Sequence, residues 1–241
     1  MANSWFRCKQ FLIKQDKCSH KVGTDSFLLG SWVNVNNVNK VLDIGTGTGI
    51  LSLMIAQRTE HTTITAIEID TQSYEQAKEN VYNSPWKERI KVINISLQQF
   101  DEKELFDLII CNPPYFNNSL KSPNLKRNIA RHSISLSLND IIEYAKSHLC
   151  RNGKLALILP VTEMEILNHL ITKNNLHIIR LAKVYPNYNK PAHRILIECA
   201  QYFENYVPEE IVIEANKRHV YTKKFAELTN EFYLNLKVER Q

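Results

Sequence analysis

The segment Val41-Leu42-Asp43-Ile44-Gly45-Thr46-Gly47-Thr48-Gly49-Ile50-Leu51 narrows the possible folds of this chain more than any other stretch. A short apolar strand runs into a glycine-rich turn and then a helix-like stretch ending near Ala56. Glycines permit positive φ and close backbone approach, and a helix start offers free N–H groups, so the unit suits a nucleotide-like ligand. The spacing is Gly-x-Gly-x-Gly, which misplaces the third glycine for a dinucleotide fingerprint, and the P-loop lysine is missing. Asp43, ahead of the first glycine, would repel a pyrophosphate but suits a ligand with positive charge and amino donors.

The same strand-then-helix alternation continues beyond the turn. Apolar runs predict strands near 40–44, 63–69, 90–95, 106–111 and 153–159, with helical stretches between them. Such alternation implies an α/β fold, a parallel sheet covered on both faces. Ser137-Leu138-Asn139-Asp140 reads as a helix N-cap with an acidic third position, Thr162-Glu163-Met164-Glu165 as a capping box, and Gly153 as a helix stop. Runs 176–184 and 194–203 read as two further strands. In the tail, 211–213 reads as a strand and 222–236 as a helix. A length of 241 residues without repeats or glycine/serine linkers fits one domain over 1–241, with 1–39 preceding a core of 40–204 and an extension over 205–241.

The glycine segment resembles motif I of the class I S-adenosylmethionine-dependent methyltransferases. That resemblance implies a Rossmann-like, seven-stranded, mostly parallel sheet flanked by helices and closed by runs 176–184 and 194–203 as an antiparallel pair, with Asp43, Gly45, Gly47 and Gly49 around S-adenosyl-L-methionine. The second strand ends in Glu68 and Asp70. A carboxylate there can accept both ribose hydroxyls, and Glu68 is the candidate. Asp70 is instead placed to favour the N-terminus of the helix starting at Thr71. After the third strand the family carries an acidic residue for the cofactor adenine. Ser96 departs from that pattern, though its hydroxyl can still accept one hydrogen bond.

Asn112-Pro113-Pro114-Tyr115 ends the apolar run 108–111. Successive prolines fix φ and remove N–H donors, so the carbonyls of Asn112 and Pro113 are acceptors without competing donors, suited to gripping an NH2 group. The aromatic ring that follows can stack on a base, an interaction worth about 1–3 kcal/mol. Cys111, inside the strand run, reads as core rather than nucleophile.

The net charge of +5 favours a polyanionic partner only mildly, and the distribution of cations says more. Lys121, Lys126, Arg127, Arg131 and His132 follow Tyr115 without an intervening carboxylate. A second run carries Lys173, Arg180, Lys183, Lys190 and Arg194 with Tyr185 and Tyr188 interleaved. Basic residues among aromatics suit RNA backbones and unstacked bases. The five cysteines include no Cys-x-x-Cys pair, so neither zinc nor a disulfide framework is indicated. No apolar stretch approaches the roughly 20 residues needed to span a bilayer. The N-terminus lacks the pattern of a signal peptide, and a cytoplasmic location is expected.

Lys9-Gln10-Phe11, Gln15-Asp16, Lys21-Val22-Gly23-Thr24-Asp25, Leu28-Leu29-Gly30 and Trp32 form one ordered block. With Asn112–Tyr115, Ala130-Arg131-His132 and 194–198, it resembles the bacterial tRNA1(Val) adenine-N6-methyltransferase family over most of the chain. The resemblance implies that Lys21, Gly23 and Thr24 lie over the cofactor, which Asn112 also touches, that Asn112, Pro113, Pro114 and Tyr115 are catalytic, and that Tyr115, Lys121, Lys126, Arg127, Arg131, His132 and Arg194 contact tRNA. The implied target is the adenosine 3′ of the anticodon, and no metal is required. On residues alone, 21–25 is only a turn opening a helix over 25–33. Two alternatives stay open. One is a protein glutamine N5-methyltransferase, since the same motif can hold a carboxamide; the other is a non-catalytic RNA-binding protein on this fold.

Overall fold

The computed structural model describes residues 3–18, 21–101, 103–113 and 136–239. A hairpin of β1 (Trp5–Arg7) and β2 (Leu12–Lys14) leads to α1 (Thr24–Trp32). Then follow β3 (Lys40–Ile44), α2 (Ile50–Arg58), β4 (Thr63–Glu68), α3 (Thr71–Tyr82), β5 (Ile90–Asn94) and β6 (Phe106–Cys111). The remainder is α4 (Leu138–His148), β7 (Leu149–Pro160), α5 (Met164–Lys173), β8 (His177–Asn187), β9 (Arg194–Ala200), β10 (Glu209–Glu214) and α6 (Lys223–Thr229).

The main sheet has eight strands in the order β10-β8-β9-β7-β6-β3-β4-β5. Only β9 runs antiparallel to its neighbours. The expectation of seven strands therefore falls one short, because β10 in the tail pairs in parallel with β8. Strand alternation divides the core between the two faces. On β6, Leu108 and Ile110 join the cluster under α1 and α2, while Ile109 and Cys111 join the cluster under α4 and α5. Each aliphatic side chain so buried contributes about 1.5–3 kcal/mol, and strands buried on both faces read as continuous apolar runs.

Several local signals behave differently in the fold. Ser137 caps α4 in a reciprocal box with Asp140, and Asp70 Oδ1 accepts the Ser73 N–H at the start of α3, both as expected. Thr162 forms no capping box. A short 3-10 turn over Val161–Glu163 comes first, and α5 begins without a side-chain cap. Gly153 lies inside β7 rather than ending a helix, where a Cβ would stand 2.6 Å from the Phe106 carbonyl oxygen. The predicted helix over 222–236 is formed only across α6.

Helix α1 spans the sheet from its carboxyl edge to the opposite edge, and polar ties hold both ends. At its C-terminus the Arg58 guanidinium donates to the Gly30 and Val33 carbonyls at 2.7 and 2.8 Å. Arg180 donates to the Trp32 carbonyl at 2.7 Å and lies 4.0 Å over that indole. These cations satisfy carbonyls that a helix end leaves open and complement its dipole.

Candidate functional site

β3, β4, β5, β6 and β7 run in parallel and deliver their carboxyl ends to one edge of the sheet, the usual ligand edge of open α/β folds. The glycine turn takes Gly45, Gly47 and Gly49 through left-handed backbone, with φ of 67°, 58° and 83°. Side-chain-bearing residues adopt that region at a cost, so the glycines are what let the chain fold back and start α2.

Asp43 and Glu68 hold this turn from both sides. Asp43 is completely buried, and its Oδ2 accepts the hydroxyls of Thr46 at 2.6 Å and Ser52 at 2.7 Å. Its Oδ1 has no hydrogen-bond partner among the described residues. Burial pushes the Asp43 carboxyl up from 3.8 to about 6, against the lowering effect of those hydrogen bonds, and the nearby Glu68 charge adds to the rise. The shift corresponds to about 3 kcal/mol against the charged form. Because the folded carboxyl binds its proton more tightly than the unfolded one, this cost is absent below pH 3.8, grows up to about pH 6 and is complete above it. Wild type minus Asp43→Asn should therefore lose unfolding free energy as pH rises from 4 to 6. Denaturant melts at a series of pH values check this, and parallel curves would assign the titration elsewhere.

Glu68 ends β4, nearly buried. Its Oε2 accepts the Gly47 N–H at 2.9 Å and its Oε1 the Asp70 N–H at 3.0 Å. A carboxylate has about four acceptor positions, so each oxygen keeps one for a ligand hydroxyl. The residue expected to bind a ribose thus also fixes the loop that ribose would approach. Beside it, Ile44, Gly45, Ile67, Ile69, Ile95, Ser96, Leu97, Gln98 and Leu136 line a cleft of about 40 Å³. Its walls are largely aliphatic, and at this volume it offers a wall for one face of a planar heterocycle and not an enclosing pocket. Ile69 is 47% exposed at its mouth, an apolar residue between two acids whose place the sequence reading missed. Ser96 reaches the cleft, while its hydroxyl donates to Gln99 Oε1 at 3.2 Å.

Asn112 leaves β6 beside this turn, since Cys111 pairs in register with Ile44 of β3. Its Nδ2 donates to Ser26 Oγ of α1 at 3.0 Å, which fixes the plane of the amide. Pro113 is buried behind it. Cys111 is fully buried and its thiol is pushed well above the ordinary range by burial, first of all, and by the charges of Asp43 and Glu68, which suits core rather than nucleophile. Pro114, Tyr115, Lys121, Lys126, Arg127, Arg131 and His132 lie outside the described residues.

Gly23 is the N-cap of α1 and Thr24 its first residue, both exposed; Lys21 Nζ donates to the Asn3 carbonyl at 3.3 Å. The residues that tie this segment and the hairpin to their neighbours were assigned no contacts by the sequence reading. Gln15 Oε1 accepts the Val22 N–H, and buried Asn80 donates to both the Lys14 and the Thr48 carbonyls, joining the hairpin to the glycine turn. Gln76 Oε1 accepts the Lys17 N–H. Their signal was legible: Ser73, Gln76 and Asn80 recur at helical spacing on the inner face of α3, where apolar residues would otherwise be expected.

The second basic run does not form one surface. Lys173 pairs with Glu143, Arg180 pairs with Glu209 near the opposite edge, and only the part from Tyr185 onward reaches the carboxyl edge. Arg194, expected on RNA, has its Nε 3.0 Å from Asp25 Oδ2 and its Nη1 donating to the His193 carbonyl. Its guanidinium ties β9 to the first turn of α1.

Residues 18–173 match the methyltransferase small domain. The chain is 40% identical over 239 residues to a protein of Parabacteroides distasonis named tRNA1(Val) (adenine(37)-N6)-methyltransferase, covering 98% of this chain and all of that one. A protein of the same name from Trichodesmium erythraeum is 41% identical, covering 97% and 99%. The chain belongs to this methyltransferase family. Among solved structures, a predicted O-methyltransferase from Agrobacterium tumefaciens superposes with a TM-score of 0.63 at 19% identity, over 90% of this chain and all of that one. A ribosomal protein L11 methylase from Lactobacillus delbrueckii gives 0.52 at 19%, over 74% and 78%. These likenesses concern the fold. The family's methyl donor is S-adenosyl-L-methionine, and the residues present fit it. A buried carboxylate oxygen without a partner, spare acceptor positions on Glu68 and an aliphatic cleft at one strand edge answer its cation, its ribose and its adenine. Among the described residues no cluster of His, Cys, Asp or Glu could hold a metal ion, and no helix is long and apolar enough to cross a membrane.

Proposed function

We propose that this protein methylates N6 of an adenosine in tRNA, the one 3′ of the anticodon in tRNA1(Val), as its relatives' names state for them. The observation that carries the reading is the Asn112 amide, fixed by Ser26 beside the glycine turn at the carboxyl edge. Glu68 would hold the cofactor ribose, the cleft at Ile69 and Ser96 its adenine, and Asp43 with the turn its charged portion, with Lys21, Gly23 and Thr24 covering it. S-adenosyl-L-methionine, when bound, supplies an electrophilic methyl group.

The chemistry this asks of the chain is limited. An exocyclic amine conjugated to a purine has a delocalised lone pair and is a poor nucleophile. Acceptance of its two N–H groups by Asn112 Oδ1 and the Pro113 carbonyl would turn that lone pair out of the ring plane. Neutral acceptors also stabilise positive charge growing on nitrogen, and the rest is orientation. Tyr115 would stack on the base after it leaves the anticodon loop, where unstacking is cheaper than in a duplex.

The test is incubation with labelled S-adenosylmethionine and total tRNA from a strain lacking the enzyme, followed by nucleoside analysis. Label is expected in N6-methyladenosine. Label in 4-methylcytidine or on protein glutamine would overturn the assignment.

A further inference from the structure

Beyond the residues next to the reacting base, the tail builds a second cationic feature on the same edge of the sheet. Because β10 runs parallel to β8, its exit at Glu214 lies beside Asn187 at the carboxyl edge, and the turn after it projects past that edge. That turn and the last described residues enclose a recess of about 640 Å³ lined by Ala215, Asn216, Lys217, Val220, Lys237, Val238 and Glu239. Lys217 and Lys237 approach it from different segments, and both are exposed, as is Arg218.

The recess is held in shape. The Tyr221 N–H donates to the Lys237 carbonyl and the Glu239 N–H to the Tyr221 carbonyl, which binds the terminal segment to the turn. His219 sits in left-handed backbone at φ 61°, with its N–H donating to Glu214 Oε1 at 2.9 Å. A non-glycine residue persists there only when its surroundings fix it. Across the rim, Tyr188 of the β8–β9 turn is 55% exposed, and its hydroxyl donates to Glu239 Oε1 at 3.1 Å. One carboxylate of the recess is thereby engaged, leaving an aromatic ring standing at the edge of a lysine pair.

We propose that this recess is a seat for the tRNA backbone, with Lys217 and Lys237 on phosphate and Tyr188 as a flat contact beside them. The inference rests on the function proposed above and adds where the body of the substrate lies. From β10 to β6 the edge crosses β8, β9 and β7, four strand spacings or about 19 Å. A phosphate held there is too distant to belong to the target nucleotide at Asn112. Assigned to the stem, such a contact acts on affinity for whole tRNA and not on the chemical step.

The test compares wild type, Lys217→Ser/Lys237→Ser and Lys217→Arg/Lys237→Arg on full-length tRNA and on a short oligonucleotide spanning only the anticodon loop. The serine variant should bind tRNA roughly tenfold more weakly, with the slope of log K against log salt reduced by about 1.4 to 1.8 for two lost contacts. Its kcat at saturating tRNA, its cofactor affinity and its turnover of the oligonucleotide should match wild type, and the arginine variant should restore tRNA affinity. Unchanged tRNA affinity and salt slope in the serine variant, with wild type still methylating tRNA, would overturn the seat and leave the function standing. Equal losses on tRNA and oligonucleotide would overturn its assignment to the stem. A wild type that neither binds nor methylates tRNA would remove the function and the seat with it.

Discussion

Asn112→Ala should lower kcat by about a hundredfold to a thousandfold while cofactor affinity changes no more than a few-fold. The lost acceptor acts on the target amine as charge develops there, and removing one such aligned dipole from a reacting centre typically costs that much. The Asn112 Nδ2 also donates to Ser26 Oγ, so the substitution leaves one buried hydroxyl short of a donor, at about 1 kcal/mol. Single-turnover kinetics with calorimetry separate the two effects. Asn112→Asp keeps an acceptor at the same place, and the Ser26 hydroxyl can turn to donate to it, so partial activity is expected. Wild-type turnover in the alanine variant would remove this side chain from the mechanism.

For Glu68→Ala the expected result is the reverse, a large loss of S-adenosylmethionine binding. Each hydrogen bond to a buried charged acceptor contributes roughly 1.5–3 kcal/mol, so losing the ribose contacts alone should raise Kd by tenfold to a hundredfold or more. The fold adds a further cost, because the Gly47 and Asp70 N–H groups lose their acceptor and the glycine turn its brace. Glu68→Gln keeps one oxygen acceptor and should fall between. Titration calorimetry decides it, and a wild-type Kd in the alanine variant would place the ribose contact on another residue.

The sequence by itself determined the strand–helix alternation, the strand ends at which the candidate residues gather and the residue types at Asp43, the glycines, Glu68 and Asn112. These are local properties. Strands buried on both faces must be apolar throughout, a turn through positive φ selects glycine, and a rigid strand end followed by prolines is readable from adjacent residues alone. The fate of each cation and each buried amide was decided only by the tertiary structure, because a side chain's partner lies far away along the chain. Arg194 reads like its basic neighbours until α1 brings Asp25 to within 3.0 Å of it. Asn80 reads as an ordinary helix residue until the hairpin and the glycine turn close on its amide. Glu68 reads in sequence only as an expected ribose acceptor, and the fold adds the Gly47 and Asp70 N–H groups that it holds. The tail shows least of all in sequence, since β10 has meaning only beside β8, and the recess of Lys217 and Lys237 exists only where two segments about twenty residues apart are joined by backbone hydrogen bonds through Tyr221.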